Sequence, residues 1–159
     1  MKRNPQCGFS LVEVVIGTAL ITLALVGLAG AFSFYLKAGL KNNDTLKATL
    51  LAEEGVEAAV LLRDASWNNF SSLATGTPYY LSWNGSIWVS TTTPVLIDGA
   101  FTRTMTLGDL YRRTSDQDIV ATSSPDTKTL DADIKQVTVR VTAADIDTSL
   151  QTYLANIFK

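Results

Sequence analysis

Gly8-Phe9-Ser10-Leu11-Val12-Glu13-Val14-Val15-Ile16-Gly17 is the stretch on which the reading of this chain turns. After Glu13 no charged residue occurs until Lys37, so positions 14 to 36 form an uncharged run of 23 residues. As a helix rising 1.5 Å per residue, that run spans roughly 35 Å, enough to cross a bilayer core. Glu13 stands at its head. A carboxylate inside a membrane helix costs on the order of 2.5–3.5 kcal/mol at the centre and less near an end. Nothing inside the run pairs with it, and the nearest cations are Lys2 and Arg3. A carboxylate so placed is a functional-site candidate.

Lys2-Arg3, a short polar leader, Gly8 and then Phe9-Ser10-Leu11-Val12-Glu13 together resemble the processing signal of type IV pilins and pseudopilins. The resemblance implies cleavage by a prepilin peptidase between Gly8 and Phe9, and methylation of the new Phe9 amine by the same enzyme. It also implies that Glu13, the fifth mature residue, pairs with the N-terminal amine of a neighbouring subunit during assembly. The physics is consistent: cleavage creates a positive amine near the one carboxylate that needs a partner. Phe9 and Glu13 are also four residues apart, so a pair within one helix is an alternative.

The leader, residues 1–8, is too short and polar to fold, and its two cations are expected to stay cytoplasmic, sending the C-terminus outward. Lys37 and Lys41 flank the far end of the run, which weakens orientation by charge alone. Cys7 is the only cysteine and lies in the leader, so a mature chain has no disulfide. Of 13 basic residues, removing Lys2 and Arg3 leaves 11 against 15 acidic ones, a net charge of −4 before the new amine is counted. Arg103, Arg112, Arg113 and Arg140 are too few and scattered for a nucleic-acid surface, so no nucleic acid is indicated. In the apolar run, Gly27 and Ala31 have small-xxx-small spacing, and Gly17, Gly27 and Gly30 allow close approach of neighbouring helices. Ordinary membrane-helix composition accounts for them equally well.

No proline separates Phe9 from Trp67, and one helix is expected to run to about Asp64. Leu36, Leu40, Leu50, Leu51, Ala58, Leu61, Leu62 and Ala65 fall on one broad arc, which predicts the face that packs. Lys47 and Glu54 interrupt that arc, and Gly39 and Gly55 are weak points of the helix. Ala52-Glu53-Glu54-Gly55-Val56-Glu57 and Leu62-Arg63-Asp64-Ala65-Ser66-Trp67 resemble the second half of the long helix in minor, V-type pilin-like proteins. The plain alternative is a solvated charged face closed by Trp67.

From Trp67 onward, short β-prone runs alternate with Ser, Thr, Asn, Gly and Pro. Asn84-Gly85 lies between Tyr79–Trp83 and Ser86–Ser90, predicting a hairpin with a two-residue type I′ turn. Residues 101–107 and 136–142 alternate, with Val137, Val139 and Val141 on a face expected to cover the helix. The last run, 149–158, is either a strand or a tail. The tryptophans, with Tyr79, Tyr80, Tyr111 and Tyr153, read mainly as core or cross-strand residues, with an exposed adhesive face as the alternative.

Chemistry has few footholds. The chain has no histidine, and none of its residues after Gly8 is cysteine, which excludes Cys/His zinc sites and His-based triads. No P-loop or dinucleotide fingerprint occurs. Asp116-Gln-Asp118, Asp131-Ala-Asp133 and Asp145-Ile-Asp147 invite calcium, but turn aspartates explain them without a metal, and no metal, cofactor or catalytic site is assigned.

The sequence therefore predicts an α+β chain. Its parts are a leader (1–8), a transmembrane and assembly helix (9–36), an amphipathic continuation (37–66) and a β-rich extracytoplasmic head (67–159) with an antiparallel sheet packed on the helix's second half. The function expected from the resemblance is that of a minor pilin or pseudopilin in a type IV pilus-like or type II secretion-like filament. The implied partners are the prepilin peptidase/methyltransferase, other pilin or pseudopilin subunits, an inner-membrane assembly platform and, before assembly, membrane lipid. The implied location is the cytoplasmic membrane and then an extracytoplasmic filament. The alternative is a secreted or membrane-anchored adhesin or binding domain exported by an ordinary signal sequence, for which Ala29-Gly30-Ala31 offers a cleavage site.

Overall fold

A computed structural model of the chain describes residues 10–158, so Gly8 and Phe9 lie outside the described residues. The first element is a helix, α1, Leu11–Ala65, 55 residues long. It opens with the Val14 N–H donating to the Ser10 carbonyl at 3.2 Å. It ends where Ser66 turns extended and caps a short helix, α2, Trp67–Ser71, its hydroxyl accepting from the Asn69 N–H. The absence of proline lets the backbone ladder run through Gly39 and Gly55 without a break, as the sequence predicts.

The chain divides into two compact units, residues 1–43 and residues 44–159. In the first, α1 leaves every described side chain on its surface except for partial cover at Gly17. In the second, the rest of α1 and α2 join seven strands: β1 Tyr79–Trp83, β2 Trp88–Thr91, β3 Leu96–Ile97, β4 Phe101–Arg113, β5 Ile119–Val120, β6 Lys128–Ala143 and β7 Ile146–Ala155. They form one antiparallel sheet in the order β2-β1-β4-β6-β7, with β3 and β5 also on β4. The α+β expectation holds, and the uncertain C-terminal run is largely strand β7.

Alternation decides the core. Phe101, Met105 and Leu107 of β4 and Val137, Val139 and Val141 of β6 point to one face and are buried with Ala48, Ala52, Ala58 and Ala59 of α1. Trp67 and Phe70 from α2 close one end, their rings 6.0 Å apart.

Two expectations need correction. The packed face of α1 meets the predicted arc only in part: Ala58 is fully buried and Leu51 and Leu62 pack against the core. Leu50 and Leu61 remain more than half exposed, whereas Ala48, Ala52, Gly55 and Ala59 are buried, at steps of four, three and four. The reason is proximity. A Cβ at Gly55 would lie 2.6 Å from Val139 Cγ1 and 2.8 Å from Arg103 Cδ. A sheet that close leaves room for only small side chains at the centre of the seam, while Leu51, Val56, Val60 and Leu62 pack at its margins. The hairpin is also longer than predicted. Trp83 faces Trp88, so the loop holds Asn84 to Ile87, and Gly85 alone within it has a positive φ, 98°. Asn84 replaces the type I′ geometry with a side-chain clamp, its Oδ1 accepting from the N–H groups of Ser86 and Ile87 at 3.0 Å each.

Candidate functional site

Glu13 lies in the first turn of α1, exposed, where the helix dipole favours a carboxylate. No ion pair to Glu13 forms among the described residues. Gly8 and Phe9, the other predicted site residues, fall outside that range, so the structure does not bring the three together. Around Glu13 the surface is apolar on all sides: Leu11, Val12, Val14, Val15 and Ile16 are all exposed. A helix apolar around its whole circumference is built to be surrounded by lipid or by other helices. This helix is long and apolar enough to cross a membrane.

Its few polar groups are consistent with that environment. The hydroxyls of Thr18, Thr22 and Ser33 donate to the carbonyls of Val15, Thr18 and Ala29 at 3.0, 2.7 and 2.9 Å. Each hydroxyl proton is satisfied inside the helix and none requires water. A Cβ at Gly17, Gly27 or Gly30 would meet nothing within 4 Å, so these glycines are not needed for packing within the chain.

A second constellation joins the later part of α1 to the sheet. Arg103 is 3% exposed, the one buried charged residue among those described. Its Nη1 donates to Glu54 Oε2 at 2.6 Å and to the Leu51 carbonyl at 3.2 Å, and its Nη2 to the Leu81 carbonyl at 3.5 Å. Its guanidinium lies 4.8 Å from the Trp88 ring centre. Its Nε has no partner. Beside it, Gly55 supplies the space. Glu54, which interrupts the apolar arc in sequence, is therefore the partner of an arginine in the sheet, and Lys47 likewise reaches Asp98 at 2.6 Å.

Sequence reasoning counted Arg103 only among scattered cations and gave it no place in the fold. The signal against that was present. Arg103 shares the parity of Phe101, Met105 and Leu107 in a strictly alternating strand, and parity places it on the core face.

One aspartate of each Asp-x-Asp pair, and Asp126 between them, meets an arginine. Asp116 and Asp126 pair with Arg113 at 2.7 and 3.0 Å, Asp131 pairs with Arg112 at 2.5 Å, and Asp147 pairs with Arg140. The Asp118 N–H, with Arg113, holds the Asp116 carboxyl below its usual range. The Ser124 hydroxyl, with Arg113, does the same for Asp126, and Arg140 does so for Asp147. Among the described residues no group of three or more His, Cys, Asp or Glu side chains could hold a metal ion. A cleft of about 590 Å³ is lined in part by the Arg112–Asp131 pair, in which each charge is already matched.

No curated protein and no solved structure gives a significant match to the chain. A family model does match, over residues 3–29: the prokaryotic N-terminal methylation motif. The match covers the leader from Arg3 onward, the Gly8-Phe9 junction, Glu13 and most of the exposed apolar run, and it points to a structural subunit rather than an enzyme. With one long N-terminal helix and a C-terminal antiparallel sheet in an α+β, pilin-like arrangement, the chain thus carries the prepilin signal of the type IV pilin family.

Proposed function

We propose that this chain is a minor pilin or pseudopilin, a structural subunit of a type IV pilus-like or type II secretion-like filament. In this reading a prepilin peptidase removes residues 1–8 and methylates Phe9. Residues 9–36 anchor the subunit in the cytoplasmic membrane, residues 37–66 continue the helix, and residues 67–159 form the extracytoplasmic head. The Glu13 carboxylate then pairs with the N-terminal amine of a neighbouring subunit as the helix leaves lipid for the filament. The observation that carries the reading is the methylation motif ending on a helix whose apolar circumference and head carboxylate have no partner among the described residues.

The pairing has a physical logic. Lipid holds an isolated carboxylate poorly, and a cation brought beside it in a low dielectric is strongly favoured. Transfer into a filament thereby gains free energy only when the stagger places amine against carboxylate. A Glu13→Ala subunit is expected in the membrane fraction at the wild-type amount. Its share in sheared filaments is expected to fall by about tenfold or more, equivalent to at least roughly 1.4 kcal/mol. Glu13→Gln, which keeps the shape and loses the charge, is expected to behave like Glu13→Ala. Wild-type incorporation of either variant contradicts the pairing.

A further inference from the structure

Asn84 is the one asparagine in the chain that is followed by glycine. Both residues are exposed in the loop that joins β1 to β2. The fold uses the Asn84 side chain as a clamp, and the clamp has a chemical consequence. Its Oδ1 accepts from the N–H groups of Ser86 and Ile87 at 3.0 Å each. Bonds that reach two and three residues ahead fold the carboxamide forward over Gly85. The Asn84 Cγ is an electrophile, the Gly85 nitrogen is a nucleophile, and a bond between them closes a succinimide ring.

The loop favours that attack at each partner. Two N–H donors on Oδ1 draw electron density from Cγ and stand where negative charge develops when a nucleophile adds, as the donors of an oxyanion hole do. The Gly85 N–H has no hydrogen-bond partner among the described residues, so the nucleophile is not engaged. Gly85 has a φ of 98°, and a Cβ there would meet nothing within 4 Å, so the approach is open. The leaving nitrogen, Asn84 Nδ2, has no partner among the described residues and departs into water.

We propose that Asn84 is a self-modification site, which the hairpin loop converts to aspartate and isoaspartate through a succinimide. Solvent hydroxide takes the Gly85 amide proton, and the nitrogen adds to Asn84 Cγ. The tetrahedral intermediate collapses with loss of Nδ2 as ammonia, its added proton drawn from water. A water molecule then opens the ring at either carbonyl. The net reaction consumes one water and releases one ammonia, and nothing is oxidised or reduced. Opening one way leaves aspartate, whose carboxylate accepts the same two N–H groups as charge-assisted bonds. Opening the other way leaves isoaspartate and moves the clamping carbonyl into the backbone. Either product gives the neutral hairpin tip a negative charge.

The test is peptide mapping by mass spectrometry of full-length protein in micelles, incubated in mildly alkaline buffer beside a sample unfolded in guanidinium chloride. Asn42, Asn68, Asn69 and Asn156 are references within the same chain. Conversion at Asn84 is expected to outrun all four and to give both isomers. It is expected to be about tenfold faster in the folded chain than in the unfolded one, less than a donor contributes in a water-excluded site. Ser86→Pro keeps Asn-Gly and removes one donor, and is expected to bring the folded rate down toward the unfolded one. A folded rate equal to or below the unfolded rate overturns the proposal, because the loop then protects Asn84. Conversion to aspartate alone overturns it as well, since that product bypasses the Gly85 nitrogen. So does a wild-type rate in Ser86→Pro.

Discussion

Residues 11–43 and residues 44–65 belong to one unbroken helix, and they solve opposite problems. The first stretch carries leucine, valine, isoleucine and phenylalanine all around and buries none of them within the chain. The second stretch buries alanines and a glycine and leaves several leucines in water. The contrast shows that hydrophobic bulk is a poor guide to which helix face packs. In residues 11–43 the bulk answers to an environment outside the chain. In residues 44–65 the limit is distance: β4 and β6 come so close that the seam selects for small side chains. Glycine means different things in the two stretches for the same reason. Gly30 has open space around it, whereas Gly55 lies against Val139 and Arg103.

The sharpest way to break this comparison is to put the same side chain at both glycines. Gly55→Leu drives a branched chain into Val139 and Arg103, and is expected to destabilise the head by about 3 kcal/mol or more, at the upper end of overpacking costs. Gly30→Leu is expected to leave head stability unchanged. Urea unfolding of full-length protein in micelles, read by tryptophan fluorescence, measures both. Equal effects at the two positions contradict the account of the seam.

A smaller effect separates charge from packing at the same seam. Glu54→Ala strands the Arg103 guanidinium in the core with carbonyl partners only, and is expected to cost about 1–3 kcal/mol. Arg103→Met, which fills similar space without a charge, is expected to cost less than Glu54→Ala. The reverse order in the same unfolding assay indicates that Arg103 acts through its charge beyond the pair.

Asn84→Ala probes the hairpin clamp and is expected to cost about 1 kcal/mol, since it removes two hydrogen bonds at an exposed loop. An unchanged midpoint means that Gly85 alone holds the turn.

The smallest effect concerns acid. Asp116, Asp126 and Asp147 have carboxyls held below the usual 3.8. A lowered folded pKa contributes stability that is fully present above the unfolded value and is lost as pH falls through the folded one. These groups are on the surface, so the contribution is small. Amide protection in the 113–127 loop, corrected for intrinsic exchange, is expected to hold at pH 5 and drop well below pH 3.8. The Val137–Val141 stretch is expected to keep its protection throughout that range. Loop protection that is indifferent to acid contradicts a holding role for the Arg113 pairs.

Most of the fold was legible because its signals are local. Strict alternation at 101–107 and 136–142 placed two central strands and their inward faces, and the proline-free run to Trp67 placed the helix. What escaped depends on distances between elements. The small-residue seam follows from how near β6 comes to α1, which no periodicity reports. Asn84-Gly85 marked a turn, but the cross-strand Trp83–Trp88 pair sets its length. Arg103 was weighed only as one of four scattered arginines, although its parity in the strand pointed to the core. The candidate assembly site was legible for a different reason. A charge at the head of an uncharged 23-residue run is a conflict that the chain cannot resolve by folding, and such conflicts are visible in sequence.

The central claim is that the N-terminus is made by prepilin processing. The direct measurement is the intact mass and N-terminal sequence of the protein isolated from membranes of its own host. The account predicts a chain beginning at N-methylated Phe9, with Glu13 as its fifth residue. A chain beginning at Phe32, after Ala31, contradicts it, because the helix carrying Glu13 is then gone. An uncut Met1 in cells with an active prepilin peptidase contradicts it as well.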